Sequence, residues 1–476
     1  MMTGISTYLT SATLGKSTIA SQNGSALASG EAEPSIGNAV EVELSAQARD
    51  FLSGIQVARE VANRLQDKLD QLRGGSDGNE TPSGNGGRDD EKLSPFFGDF
   101  FSGTPVTFGS NVSVEGTDAD ELFAVGSNSV VEAGKGNDQV LAGSDARVDG
   151  GDGDDFLRVW SNSIVNGGSG SDYIDAWSES RVDGGDGDDF IKAWSNSLVS
   201  GGHGNDVIDA WSDSRVDGGA GDDLIKAWSN SEVFGGSGND VIDAWSDSRV
   251  DGGSGDDTIY AHTNSVVHGG GGADYISVMG GGSAHGGDGN DEVHVHGDGA
   301  ASGGSGSDFV TVFGDGSAHG GSGNDSVTLH GTGIATGGAG NDQIYALDGS
   351  YLDGGEGNDS LSAGHGSTVV GGKGNDNILV RGQATVIFNA GDGQDTVAMS
   401  SGTVMFGAEL TADKAQISID GNTVSIAFEG RDEQLSLVIG DSEDDTILMF
   451  GDGSTKTLTR QDQAAEPEPV LSMDVN

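Results

Sequence analysis

The stretch Gly150-Gly151-Asp152-Gly153-Asp154-Asp155-Phe156-Leu157-Arg158-Val159-Trp160-Ser161-Asn162-Ser163-Ile164-Val165-Asn166 is followed at once by Gly167-Gly168-Ser169-Gly170-Ser171-Asp172-Tyr173-Ile174-Asp175-Ala176-Trp177, the same pattern begun again. The unit is 17 residues long, and fifteen copies start at 133, 150, 167 and so on to 371, running from Ala133 to about Ala384 without slippage. Position 4 is Gly in all fifteen, from Gly136 to Gly374, and position 6 is Asp in all fifteen, from Asp138 to Asp376. A fixed period of this size means one supersecondary unit stacked on the next.

Within each unit the apolar residues hold positions 8, 10 and 16. Position 8 is Val, Leu or Ile throughout, position 10 is Ala, Val or Leu, and position 16 is mostly Val, turning to Ala from Ala284 to Ala335. Alternation of 8 and 10 predicts one short strand with a single buried face; position 16, between polar neighbours, predicts a second. Neither strand can bury its face alone. Stacked in parallel about 4.8 Å apart, the units enclose a thin core and pair their backbones, so fifteen rungs would make a rod roughly 70 Å long. No Pro occurs between Pro105 and Pro467, as stacked strands require.

Composition narrows the partners. The 476 residues include 85 Gly, no Cys and 76 acidic against 22 basic side chains, a formal net charge of −54. Nucleic acid is excluded as a partner by that charge, and disulfides and Cys-based metal sites by the missing thiols. With 34% apolar and 6% aromatic residues, the chain cannot close an ordinary core against its own repulsion; something positive must neutralise it. No apolar run approaches the roughly 18 residues of a membrane span. Residues 1–23 hold a single Lys and many Ser and Thr, without the charged-then-apolar pattern of a removable secretory leader.

Each fixed letter of Gly-Gly-x-Gly-x-Asp has a chemical use. Glycines accept positive φ and let carbonyl oxygens turn toward one spot, while Asp adds a carboxylate. Hard oxygens at flexible spacing suit calcium; magnesium wants tighter octahedral geometry, and zinc wants His or Cys. The nonapeptide Gly-Gly-x-Gly-x-Asp-x-apolar-x resembles the repeat of the RTX (repeats-in-toxin) family of haemolysin-type calcium-binding proteins, over residues 133–397. The resemblance implies a parallel β-roll with calcium held between adjacent loops by the Asp carboxylate and backbone carbonyls. Those roles fall on Asp138, Asp155, Asp172, Asp189, Asp206, Asp223, Asp240, Asp257, Asp274, Asp291, Asp308, Asp325, Asp342, Asp359 and Asp376, with Asp395 of Ala390-Gly391-Asp392-Gly393-Gln394-Asp395 as a sixteenth, more loosely spaced turn. Family rolls commonly use two nonapeptides per coil. Here a nonapeptide alternates with eight residues such as Ala193-Trp194-Ser195-Asn196-Ser197-Leu198-Val199-Ser200, so a single row of calcium ions is expected, about one per gap between loops. Roughly fourteen Ca²⁺ would neutralise about half of the −54, and binding free energy would then be folding free energy.

The chain divides into six zones: 1–40, polar and small; 41–73, where Phe51, Ile55, Ala58, Ala62, Leu65, Leu69 and Leu72 trace the seam of an amphipathic helix; 74–114, a flexible joint with a Phe cluster; 115–385, the repeat; 386–460, longer alternating strands; and 461–476, an acidic tail. The helix reads as a cover for the first rung or as a self-association seam. Gln416-Ile417-Ser418-Ile419-Asp420-Gly421-Asn422-Thr423-Val424-Ser425-Ile426 predicts a hairpin around Asp420-Gly421-Asn422. The zone holding it looks like the haemolysin-related domain that follows RTX repeats, and would cover the last rung. The family's uncleaved type I secretion signal lies at the extreme C terminus, which here is the 461–476 tail.

All six Trp stand at position 11: Trp160, Trp177, Trp194, Trp211, Trp228 and Trp245. Such a ladder serves either to close the roll's edge or to bind glycans. Position 9 alternates in sign through Arg158, Asp175, Lys192, Asp209, Lys226 and Asp243, and Arg181, Arg215 and Arg249 recur at position 15. Both patterns place opposite charges on neighbouring rungs and pin the register. His268, His285 and His319 share position 17; a transition-metal stripe is conceivable, and a solvated face fits better.

No zinc helix, nucleophile elbow or phosphate loop occurs, so no enzymatic activity is expected. The whole is an all-β parallel β-roll solenoid of about 15 seventeen-residue coils with an N-terminal amphipathic helix and a C-terminal β cap. The expected function is that of a secreted, extracellular or cell-surface protein that folds on external calcium and serves as a non-catalytic surface, matrix or adhesion component. Expected partners are calcium, the type I secretion apparatus and extracellular polysaccharide. The alternative is a secreted effector acting on host membranes or glycans.

Overall fold

The computed structural model describes residues 106–107, 109–440 and 444–459. The amphipathic pattern of 41–73, the cluster of Phe96, Phe97, Phe100, Phe101 and Phe108, and the 461–476 tail lie outside the described residues. Each 17-residue unit folds as two short strands, for example Phe156–Val159 and Ile164–Ser169. Both pair in parallel with their counterparts one unit on: Leu157 aligns with Ile174, and Val165 with Val182. The result is an all-β parallel solenoid of about 17 turns with coils of about 17 residues. No helix occurs among the described residues.

Side-chain alternation places the core as the apolar pattern predicts. Along Phe190–Ala193, Ile191 and Ala193 point inward and are fully buried, while Phe190 and Lys192 face outward. Val199 enters from the second strand, also fully buried. Repeated up the axis, Ile174, Ile191, Ile208, Ile225, Ile242, Ile259 and Ile276 form one column, with the Ala and Val columns beside it. Each coil thus contributes three apolar side chains to a thin, continuous core.

The two edges differ. At the first, the glycines at positions 2 and 4 of each turn take positive φ, such as Gly151 at 103° and Gly153 at 138°. At the second, the middle residue of the Ser-Asn-Ser turn is left-handed, as Asn162 is at φ 60° and Asn196 at 61°. Asn and Asp tolerate that region best among residues with a Cβ. The serine that follows is buried: Ser163 N–H donates to Ser180 Oγ on the next rung at 3.3 Å, and Ser163 Oγ donates to the Trp160 carbonyl at 2.7 Å.

Parallel pairing begins before the first complete repeat, since Val106 aligns with Phe123 and Leu122 with Gln139. At the other end the strands lengthen to Asn377–Phe388 and Gln394–Phe406, with a register shift between Val380 and Gln383. The hairpin forms where the sequence places it, from Ala415–Asp420 and Thr423–Phe428 around Gly421. Its second strand pairs antiparallel with Gln434–Ile439, which adds in parallel to Gln394–Phe406. Here Phe406 stacks on Phe450 at 5.1 Å and meets Phe388 and Phe428 edge-on, a wider core than the roll's.

Candidate metal centre

The position-6 aspartates form one continuous buried column. Each immediately precedes the first strand of its coil, where a turn residue's N–H needs an acceptor. The N–H of Asp155 donates to Asp172 Oδ1 at 2.8 Å, and the N–H of Asp189 to Asp206 Oδ1 at the same distance, so each carboxylate ties down the turn of the preceding rung. The pattern runs from Asp138 through Asp376 and on to Asp395, which accepts from Asp376 N–H at 3.0 Å although 19 residues separate them. It also starts one coil earlier than the repeat's letters indicate: Glu121 N–H donates to Asp138 Oδ1 at 2.7 Å. The signal for that coil was Gly116 at position 1 and Ser127-Asn128-Ser129-Val130-Val131, which matches the second half of the other units, whereas Ala119 and Glu121 stand in place of the invariant Gly and Asp.

The second carboxylate oxygen decides what the column can do. Oδ2 of Asp155, Asp189, Asp206 and most of their equivalents is buried without a hydrogen-bond partner. A carboxylate oxygen left so costs its full desolvation unless something compensates. Burial lifts the carboxyls of Asp189, Asp223 and Asp257 to about 8; the N–H of the preceding rung opposes the rise and neighbouring carboxylates add to it. Asp155, Asp206 and Asp274 rise to about 7 for the same leading reason.

A backbone oxygen faces the same spot. Strand pairing skips the first glycine of each turn: Asp183 and Gly185 align with Ser200 and Gly202, while Gly184 does not pair. A Cβ on Gly150 would collide with both Asp155 Oδ2 and the carbonyl oxygen of Gly167, one rung on, and Gly184 stands in the same relation to Asp189 and Gly201. The first glycine has an ordinary φ, so it is glycine for room and not for conformation. That first-glycine carbonyl is a participant the sequence did not single out. Among the described residues no three Asp, Glu or His side chains cluster as a metal site. Any cation here must be shared between one carboxylate per rung and backbone oxygens.

The other singled-out residues lie away from this column. The six Trp stack along the axis with ring centroids 4.5–5.4 Å apart and His262 continues the stack 5.0 Å from Trp245. Their faces are turned to one another, so the ladder presents ring edges to solvent. In the charge column Arg158 reaches Asp175 at 2.9 Å, whereas Lys192 and Lys226 sit over the Trp194 and Trp228 rings at 5.4 and 5.2 Å. Arg215 pairs with Glu232 one rung on. His268 and His285 meet edge-on at 5.7 Å, and His319 Nδ1 bonds Thr336 Oγ1 at 2.7 Å.

No protein-family model matches the chain, and no curated protein does. Among solved structures it is similar to the extracellular lipase LipA from Serratia marcescens, at 17% identity and a TM-score of 0.18, over 43% of this chain and 38% of the lipase. The chain thus spans well under half of that enzyme's length, and a likeness at this score carries no argument about activity.

Proposed function

We propose that this chain is a secreted calcium-folded repeat protein of the RTX haemolysin type, a non-catalytic rod at the cell surface or in the extracellular matrix. The observation that carries the reading is the column of buried carboxylate oxygens, most of them without partners and beside a first-glycine carbonyl of the next rung, as at Asp155, Asp189 and Asp206. This donor set is anionic, hard and flexible, with no sulfur or imidazole, which fits calcium better than zinc. Asp138 to Asp376 and Asp395 would hold the ions, together with first-glycine carbonyls such as those of Gly167 and Gly201. Bound there, calcium supplies the positive charge that lets the carboxylates stay ionised inside the turn.

The chain's own residues do the rest. Oδ1 of each aspartate fixes the preceding turn, the positive-φ glycines bend the backbone, and the apolar columns zip the rungs together. Because the site exists only when two coils are stacked, folding and binding are one event. Where calcium is scarce the chain would stay extended and fit for export, and it would fold where calcium is abundant; extracellular modules bind in the range of about 10⁻⁴–10⁻³ M. The test is a calcium titration of the metal-stripped full chain, followed by far-UV circular dichroism and equilibrium dialysis. The reading expects a coil-to-β transition and about one ion per gap between turns; a β spectrum that ignores calcium, or no bound metal, refutes it.

A further inference from the structure

The outward face of the first strand carries three columns, at positions 7, 9 and 11, and their order is self-complementary. From rung to rung position 9 reads Arg158, Asp175, Lys192, Asp209, Lys226, Asp243, an even run of alternating sign. Reversed end to end, such a run places a negative opposite every positive. We infer that this face binds a second copy of the chain, the two solenoids antiparallel about a two-fold axis that passes between the rungs of Lys192 and Asp209. Arg158 then faces the second copy's Asp243 and Lys192 faces Asp209, while Asp175, buried beneath Arg158 of its own chain at 8% exposure, lies at the level of Lys226. A parallel arrangement without offset would place like charges together all along the column, so the charges choose the orientation.

The flanking columns obey the same symmetry independently. Position 7 is aromatic in three rungs and aliphatic in the next three, so the two-fold opposes Phe156 to Val241, Tyr173 to Leu224 and Phe190 to Val207, large against small each time. At position 11 it opposes ladder to ladder by the indole edges. Beyond the ladder it sets Gly143 against His262 and Gly126 against Met279, which is 48% exposed. Ten rungs, from Leu122 to Met279, are covered in this way. Their flat footprint is on the order of 600 Å² per partner, against roughly 600–1,000 Å² per partner in stable complexes. A glycan is the poorer occupant, because the stacked rings offer no free faces between rungs.

Sedimentation of the full chain in millimolar calcium tests the inference, with far-UV spectra confirming that each variant is folded. The wild type is expected to be dimeric at roughly 50 µM. Lys192→Asp puts Asp against Asp at two symmetry-related places and should weaken the dimer by about tenfold or more. Lys192→Asp combined with Asp209→Lys restores opposite charges across the axis while spoiling the alternation within each chain, so recovery can only come from the interface. Val207→Tyr changes no charge, repeats a residue the column already accepts at Tyr173, and should weaken the dimer by clashing with Phe190 of the second copy; adding Phe190→Val should restore it. A wild-type monomer overturns the inference, including one whose Trp fluorescence is shielded by the chain's own N-terminal residues. A dimer indifferent to both single substitutions, or paired variants no tighter than the singles, overturns it as well.

Discussion

Acidifying the metal-stripped chain should fold it. Thirteen turn aspartates titrate between about 6 and about 8 in the folded roll, against an ordinary value near 4, chiefly because burial opposes their charge. The folded chain therefore keeps protons that the unfolded chain has released. Stability is fully present below about pH 4 and is lost as the pH rises through the folded values. At about 1.4 kcal/mol per pH unit, each such carboxylate opposes folding at pH 7 by roughly 3–4 kcal/mol. Halved for screening through the outer surface of the turn, the sum over a dozen still comes to about 20 kcal/mol, more than the 5–15 kcal/mol that holds a typical domain together. With calcium chelated, the β spectrum should be absent at pH 8 and grow between pH 8 and about 5.5. With calcium present it should persist across the same range while bound metal falls, protons replacing ions at the same oxygens. A chelated chain equally β-rich at both pH values would show that the column does not govern folding. Loss of β structure from the calcium-loaded chain on acidification would refute the exchange of proton for metal.

Three substitutions separate the parts of the coil. Asp223→Asn keeps the acceptor for Asp206 N–H but removes the charge, so the metal-stripped variant should gain its β spectrum at a higher pH than the wild type on acidification, while urea melts in calcium should show a loss of stability, with at least one ion fewer by dialysis. Gly219→Ala forces a Cβ onto a backbone at φ 112° and into the Gly202 carbonyl, which should cost about 2–4 kcal/mol; Gly271→Ala, where a Cβ meets nothing within 4 Å, should be near neutral in the same melts. Ser214→Ala removes the acceptor for Ser197 N–H at 3.2 Å on the second edge, at a cost of about 1–3 kcal/mol with calcium stoichiometry unchanged.

The fold was legible because its period is fixed at every scale. Apolar letters at 8, 10 and 16 are the buried columns, and glycines at 2 and 4 are the positive-φ residues. The first glycine was legible only as a letter: its reason, the collision with Asp Oδ2 and a neighbouring carbonyl, depends on the rung above and so on three-dimensional stacking. The coil at Gly116 lies within the 115–385 zone but outside the fifteen counted units, because Ala119 and Glu121 replace the invariant Gly and Asp while the backbone pairing continues. Indole stacking was visible as a ladder, but which surface the rings offer depends on their tilt, 18–37° between neighbours, which spacing does not encode.

Why the repeat uses aspartate at all is answered by the opposite edge of the same coil. At both edges the residue just before a strand donates its N–H to the side chain of its own equivalent one rung on: Asp155 to Asp172 Oδ1, and Ser163 to Ser180 Oγ. Both residues are buried to the same degree, within 3% exposure. Serine meets that hydrogen-bonding need with a neutral oxygen and adds no charge to the column, from Ser163 to Ser265. Aspartate meets it too, yet brings a second oxygen and a negative charge that raise the cost of every neighbouring rung. Were the turn's hydrogen bond the whole purpose, serine would serve at both edges and the roll would fold unaided. Fifteen consecutive carboxylates at the costlier choice are what the proposed calcium sites along that edge would explain. A chain with serine in place of the turn aspartates should accordingly lose its dependence on calcium while keeping the solenoid, and a swapped chain that still demanded calcium would place the metal somewhere other than this column.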